Sequence, residues 1–239
     1  MRIFSILTKW VFMLCLPVLI LTVSIVGVVN NLWLYEYGFD KYYVSNTTGL
    51  ADTELEKTAA ELVKYFNSGE EYIDLTVVRN VEQFRLFNQR ELVHLRDVKQ
   101  LIWLGYWVSL GTLIYVLGYS VGSLFWWRRR NWRSLAWEVV GGSVLTLIII
   151  LALGLGALFN FNQLFLQFHF LSFSNDFWQL DPAKDYLIRL FPQGFFYDAT
   201  LFCALATAVL ATILGSVAGG YLMFAKKSSI LDNRCHNAK

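Results

Sequence analysis

The sequence predicts an all-α membrane protein: four transmembrane helices, a small extracytoplasmic domain and an aromatic interfacial loop. Three observations carry that prediction. Of 239 residues, 56% are hydrophobic and 16% charged, against roughly 25% charged in soluble domains. The apolar residues fall in uncharged runs longer than the roughly 20 residues a helix needs to cross a bilayer. The segments between the runs alternate in charge. This composition argues against a soluble enzyme, and a net charge of +2 gives no reason to expect a nucleic-acid partner. Cys15, Cys203 and Cys235 lack paired spacing, so neither a disulfide framework nor a zinc site is expected.

The first span covers residues 10–34. Arg2 and Lys9 precede it as in a signal peptide. Its apolar core exceeds the roughly 7–15 residues of a signal h-region, and Gly27-Val28-Val29 offers no small-residue cleavage site, so a retained helix is expected. An extracytoplasmic segment follows over 35–100, then a second span over 101–127 and a short connection over 128–134. The third span, 135–158, is interrupted only by Glu138, which is placed to snorkel or to pair with Arg133. The interfacial loop occupies 159–198, the fourth span 199–225 and a tail 226–239. Lysine and arginine near span ends are retained in the cytoplasm. Arg2 and Lys9, the Arg128-Arg129-Arg130 and Arg133 cluster, and Lys226, Lys227, Arg234 and Lys239 therefore place both termini and the 128–134 connection there. With Glu138 at the inner end of the third span counted among them, the cytoplasmic segments total +8 and the outer ones −6, with Lys99 the one dissenting charge.

Within the outer segment, Thr53-Glu54-Leu55-Glu56 reads as a capping box that starts a helix running to Phe66, stopped by Asn67-Ser68-Gly69. The alternation from Tyr72 to Val78 reads as a short strand or extended segment. Asn88-Gln89-Arg90-Glu91 is a second capping-box start, from which a helix continues through His94 and Asp97 into the second span. The 159–198 loop carries Phe159, Phe161, Phe165, Phe168, Phe170, Phe173, Phe177 and Trp178, a composition that favours the outer headgroup boundary or packing on the bundle. Gly118 with Gly122, and Gly215 with Gly219, form small-xxx-small patterns that suggest close helix packing. No charge lies deep in a span, which disfavours transport.

Of three histidines, His94 and His169 share the outer side and His236 lies in the basic tail. Imidazole exchanges protons near neutral pH, so two of them converging at the interface can serve as base and acid; helix capping is the bland alternative. Glu91, His94 and Asp97 follow at spacing three along one helix side, where a carboxylate can set the imidazole tautomer, or the charges can simply solvate the helix end. Asn175 and Asp176 can orient His169 or cap a turn. No Gly-x-Ser-x-Gly elbow supports serine catalysis. A divalent-metal site from His94, Asp97 and His169 has suitable ligand types but no diagnostic spacing.

Residues 87–99, with Asn88-Gln89-Arg90-Glu91 and His94, and residues 168–182, with His169 and Asn175-Asp176-Phe177-Trp178, resemble the bacterial lipoprotein intramolecular transacylases. Residues 187–196 and Tyr35-Glu36-Tyr37-Gly38-Phe39 fit the same pattern, and the likeness runs in order through nearly the whole chain. Where that family often carries another histidine beside the second one, this chain has Phe168 and Phe170. The resemblance implies a four-span enzyme of the bacterial cell membrane with its site at the outer leaflet. It would act on diacylglyceryl-modified lipoproteins among the membrane lipids, moving the sn-2 acyl chain to the N-terminal cysteine α-amine to give a lyso-form lipoprotein. The family's histidine pair maps onto His94 and His169 as catalytic residues; Glu91, Asp97, Asn175 and Asp176, read from their positions, are the candidate supporting residues, and no metal or organic cofactor is expected. His94, flanked by carboxylates, is expected to be the base. The competing reading is a non-enzymatic four-helix adaptor or sensor that binds a partner through its outer segment.

Overall fold

The computed structural model describes residues 2–126 and 130–237, with side chains placed over 6–125 and 132–225. The elements in order are α1 (Arg2–Val29), α2 (Leu32–Lys41), α3 (Val44–Thr48), α4 (Asp52–Phe66), β1 (Thr76–Arg79), β2 (Glu82–Arg85), α5 (Gln89–Trp126), α6 (Arg130–Ser172), α7 (Tyr186–Leu190) and α8 (Gln193–Asn237). Four stretches, Ile6–Val29, Gln89–Phe125, Trp132–Ser172 and Gln193–Ala225, are long and apolar enough to cross a membrane. In lipid the backbone must satisfy its own donors, which is why such runs are helical. Arg128 and Arg129, and the side chains of Arg2, Arg130, Lys226, Lys227, Arg234, Cys235, His236 and Lys239, lie outside the described residues.

Several boundaries differ from the sequence reading, each for a local reason. α1 ends at Val29, and Leu32 to Leu34 begin α2, because the Asn31 side chain accepts from Trp33 N and starts a new helix. α4 starts at Asp52 with Ala51 as its N-cap, so Thr53 lies inside the first turn rather than capping it. Glu54 instead reaches out, accepting from Val78 N at 3.2 Å and pairing with Lys57. The extended segment is one arm of a hairpin. Asn80 and Val81, at φ 51 and 75, supply the two positive-φ residues of its tight turn. The largest difference is in α6, which breaks at Asn160 (φ −157, ψ 76) and continues helical to Ser172, so the first third of the aromatic loop is helix. α8 likewise begins at Gln193, before the fourth apolar run.

The chain divides into two compact units. The first, Met1–Ser24, Trp107–Leu153 and Ala204–Lys239, centres on Leu16, Ile20 and Ala211. Glu138 is buried there and accepts from Tyr119 Oη and Ser134 Oγ, both at 2.8 Å, and from Lys9 at 3.3 Å, so its cation is Lys9 and not Arg133. The packing glycine of the small-xxx-small patterns is Gly215, whose added Cβ would meet Ser143 at 3.1 Å; Gly118, Gly122 and Gly219 face open space. The second unit, Ile25–Tyr106 and Gly154–Cys203, holds the larger core. Leu34, Tyr35 and Phe39 of α2 pack there with Leu62 and Tyr65 of α4, Val77, Leu95, Leu190 and Phe195. Gly38 permits the closest approach, since a Cβ there would fall 2.4 Å from the Phe195 ring.

Candidate active site

The second unit contains both outer histidines, and the first turn of α5 fixes one of them. Asn88 Oδ1 accepts from the N–H groups of Arg90 and Glu91, while Glu91 Oε2 accepts from Asn88 N at 2.8 Å, completing the capping box. The other carboxylate oxygen accepts from Leu187 N at 2.6 Å, joining α5 to α7. Glu91 is 0% exposed, so it does not solvate the helix end. Burial pushes its carboxyl up, opposed by the N–H groups of Asn88 and Leu187.

His94 follows one turn later, ahead of the uncharged run of α5 that begins after Lys99. His169 sits beyond the Asn160 break of α6. Each is 7% exposed, and their rings lie 6.2 Å apart at 29°. Phe173 places its ring 5.1 Å from His94 and 5.6 Å from His169. Phe165 (4.3 Å), Trp178 (4.9 Å) and Phe168 (5.4 Å) complete an aromatic wall about His169.

His169 Nδ1 lies 2.7 Å from the Phe165 carbonyl. A carbonyl only accepts, so Nδ1 carries the proton and Nε2 keeps the lone pair. His94 Nδ1 is buried with no hydrogen-bond partner. Burial and then the neighbouring His169 push His94 down to about 4, against an opposing pull from Asp97. Burial also lowers His169, opposed by the Phe165 carbonyl. Both imidazoles are thus neutral near pH 7, in the state that can accept a proton or donate an N–H without charge.

The remaining candidates bond elsewhere than to the rings. Asp97 Oδ2 accepts from Asn175 Nδ2 at 2.7 Å, and Asn175 Oδ1 accepts from Phe177 N. Asp176 accepts the Arg90 guanidinium on its backbone carbonyl at 2.6 Å and Gln179 on its side chain. Neither Glu91 nor Asp97 sets the His94 tautomer; a backbone carbonyl sets that of His169. The sequence reading missed Phe165, whose carbonyl is found only once residues 165–169 are known to be helical. It also missed the bond from Asn88 Nδ2 to Asp185 Oδ1 at 2.7 Å, which spans 97 residues. Among the described residues, no three His, Cys, Asp or Glu side chains converge closely enough to hold a metal ion.

The family model described as lipoprotein intramolecular transacylase Lit matches residues 10–196. The fold is that of the membrane-integral lipoprotein intramolecular transacylase Lit from Bacillus cereus, at TM-score 0.77 and 24% identity over 95% of this chain and 100% of that one. Structures of the same protein with one histidine changed to arginine or to alanine each match at TM-score 0.72 and 24% identity, over 93% of this chain and 93% or 94% of theirs. An uncharacterized protein of Aquifex aeolicus (strain VF5) is 29% identical over 134 residues, 54% of this chain. The chain spans about half, 55%, of that relative's length.

Proposed function

This chain belongs to the lipoprotein intramolecular transacylase family, and on that premise we propose that it moves the sn-2 acyl chain of a diacylglyceryl-cysteine lipoprotein to the cysteine α-amine. The observation that carries the mechanism is the pair of buried, neutral imidazoles 6.2 Å apart. The α-amine attacks the sn-2 ester carbonyl, a C–N bond forms, the C–O bond breaks, and the amine proton ends on the sn-2 oxygen. Ester plus amine becomes amide plus alcohol, with no outside reactant. The nucleophile is tethered to its own electrophile, so proximity is already supplied. Proton traffic and charge on the oxyanion remain for the protein to manage.

His169 is the better base, in place of His94, because the Phe165 carbonyl holds Nδ1–H and leaves Nε2 free to take the amine proton and return it to the departing oxygen. His94, kept neutral by burial, is suited to donate an N–H to the oxyanion. These steps call on no metal or organic cofactor. The adaptor or sensor reading gives no reason to bury two imidazoles face to face without a hydrogen bond between them.

The product has the same mass as the substrate, so the test is fragmentation of a lipoprotein's N-terminal peptide, from bacteria with and without this chain. Expression should convert an S-diacylglyceryl peptide with a free amine into one acylated on nitrogen with one acyl chain left on the glyceryl group. An unchanged fragment pattern would refute the reading.

The charge asymmetry supports a membrane orientation with both termini inside and the histidines at the outer leaflet. With the native cysteines replaced, an impermeant thiol reagent on intact cells should label Gly69→Cys, where a Cβ meets nothing within 4 Å, and should spare Arg133→Cys. The reverse pattern would invert the topology.

A further inference from the structure

A lipid-modified cysteine has to reach two imidazoles that are each only 7% exposed. Two open grooves of this unit lie elsewhere: one of 480 Å³ is lined by Trp33, Tyr37 and Lys41, and one of 270 Å³ by Tyr72, Arg85 and Leu92. As it stands, the histidine pair is shut. The segment that shuts it follows α6, for it brings Phe173 against both rings and Trp178 against His169.

That segment is firmly held at its two ends. Phe173 N donates to the His169 carbonyl at 2.9 Å, closing the last turn of α6. At the other end Asp185, 5% exposed, accepts from Asp181 N and from Asn88 Nδ2. Between these anchors Ser174, Asp176, Phe177 and Gln179 are exposed. Among the described residues, two polar ties bind the middle to the rest of the unit, from Arg90 to the Asp176 carbonyl and from Asn175 to Asp97. Both ties go to α5, the helix of His94. The Arg90 tie is solvent-exposed and the Asn175 tie part-buried, and few polar ties between two strong anchors are what a locally opening segment requires.

We propose that residues 174–180, with the Phe173 side chain at their hinge, are a lid over the histidine pair, that Arg90 and Asp97 are the latches holding it closed, and that opening swings the Phe173 ring off both imidazoles and Trp178 off His169 to admit the lipid-modified cysteine. What enters rests on the transacylase reading; the lid itself rests on the packing. Asp97 is then a positioning residue acting through Asn175, and not a charge acting on His94.

Diethyl pyrocarbonate, which carbethoxylates neutral imidazole, reads the lid without any need for turnover. In the purified full-length protein, His94 and His169 should react at least ~10-fold more slowly than N-acetylhistidine, because opening must first break both latches. Arg90→Ala with Asp97→Ala should speed both on the order of tenfold per latch removed. Asp97→Asn keeps an acceptor for Asn175 and should stay protected. Asn175→Ala removes the same tie from the lid side and is read the same way should the double variant not purify folded. The lid is overturned by wild-type imidazoles that react as fast as N-acetylhistidine, by latch variants no faster than wild type, or by Asp97→Asn opening as fully as Asp97→Ala. Protected histidines with no lyso-lipoprotein formed would refute the transacylase reading and leave the lid standing.

Discussion

Alanine at His94 or at His169 is expected to leave diacylglyceryl lipoprotein unconverted, with turnover lower by roughly 10²–10⁴-fold, the usual loss on removing a general acid or base. The two losses arise differently. At His169 alanine removes the Nε2 lone pair that the Phe165 carbonyl fixes in place. At His94 it removes the proposed donor to the oxyanion, and a ring against Phe173. In the proposed mechanism both imidazoles act on one transition state, so the double variant should be little slower than the slower single, whereas independent effects would multiply. His236→Ala should be silent. Both single variants should insert and purify normally, since neither imidazole bonds to the other. Fragmentation of the lipoprotein N-terminal peptide checks all four variants. Near-normal N-acylation by either single alanine variant removes that histidine from the mechanism.

What was legible in the sequence follows from the range over which each cause acts. The four apolar runs are visible because lipid imposes one requirement along twenty or more consecutive residues. The Asn88 capping box is visible because its bonds close within three residues. Thr53 misled because a helix can start on Ala51 with no side-chain cap, its first turn carrying Asp52 and Glu54 at the positive end of the dipole. The hairpin turn was hidden because Val81 stands at φ 75, where glycine would have announced it. The helical extension of α6 contains neither glycine nor proline between Phe159 and Ser172, and its pattern was open to reading. Aromatic richness speaks to where a segment lies, not to its backbone. The histidine pairing is of another kind. His94 and His169 are 75 residues apart, and nothing local to either shows that α5 and α6 bring them together. The charge pattern placed both on the outer side and the family likeness made them a catalytic pair, but neither said anything about the Phe165 carbonyl or the ties of residues 174–180.

The largest loss of stability from a single polar residue is expected at Glu91. Its side chain is fully buried and serves two backbone donors from distant parts of the chain, Asn88 N and Leu187 N. Glu91→Ala leaves both without an acceptor inside the core. Each orphaned donor costs roughly 1–3 kcal/mol, and the side chain's lost volume adds to that. Glu91→Gln has nearly the same shape but should recover little, because an amide offers one acceptor atom and sets its NH₂ against the second backbone N–H. Asn88→Ala removes the helix cap and the tie to Asp185, and should cost about 1 kcal/mol or slightly more. Thermal unfolding of the purified protein in detergent should therefore rank wild type above Asn88→Ala, and Asn88→Ala above both Glu91 variants. Turnover should fall in the same order, since α5 presents His94 one turn beyond this joint. A Glu91→Gln protein as stable as wild type would mean that the joint tolerates a neutral side chain, and that ionised Glu91 is not what fixes the start of α5.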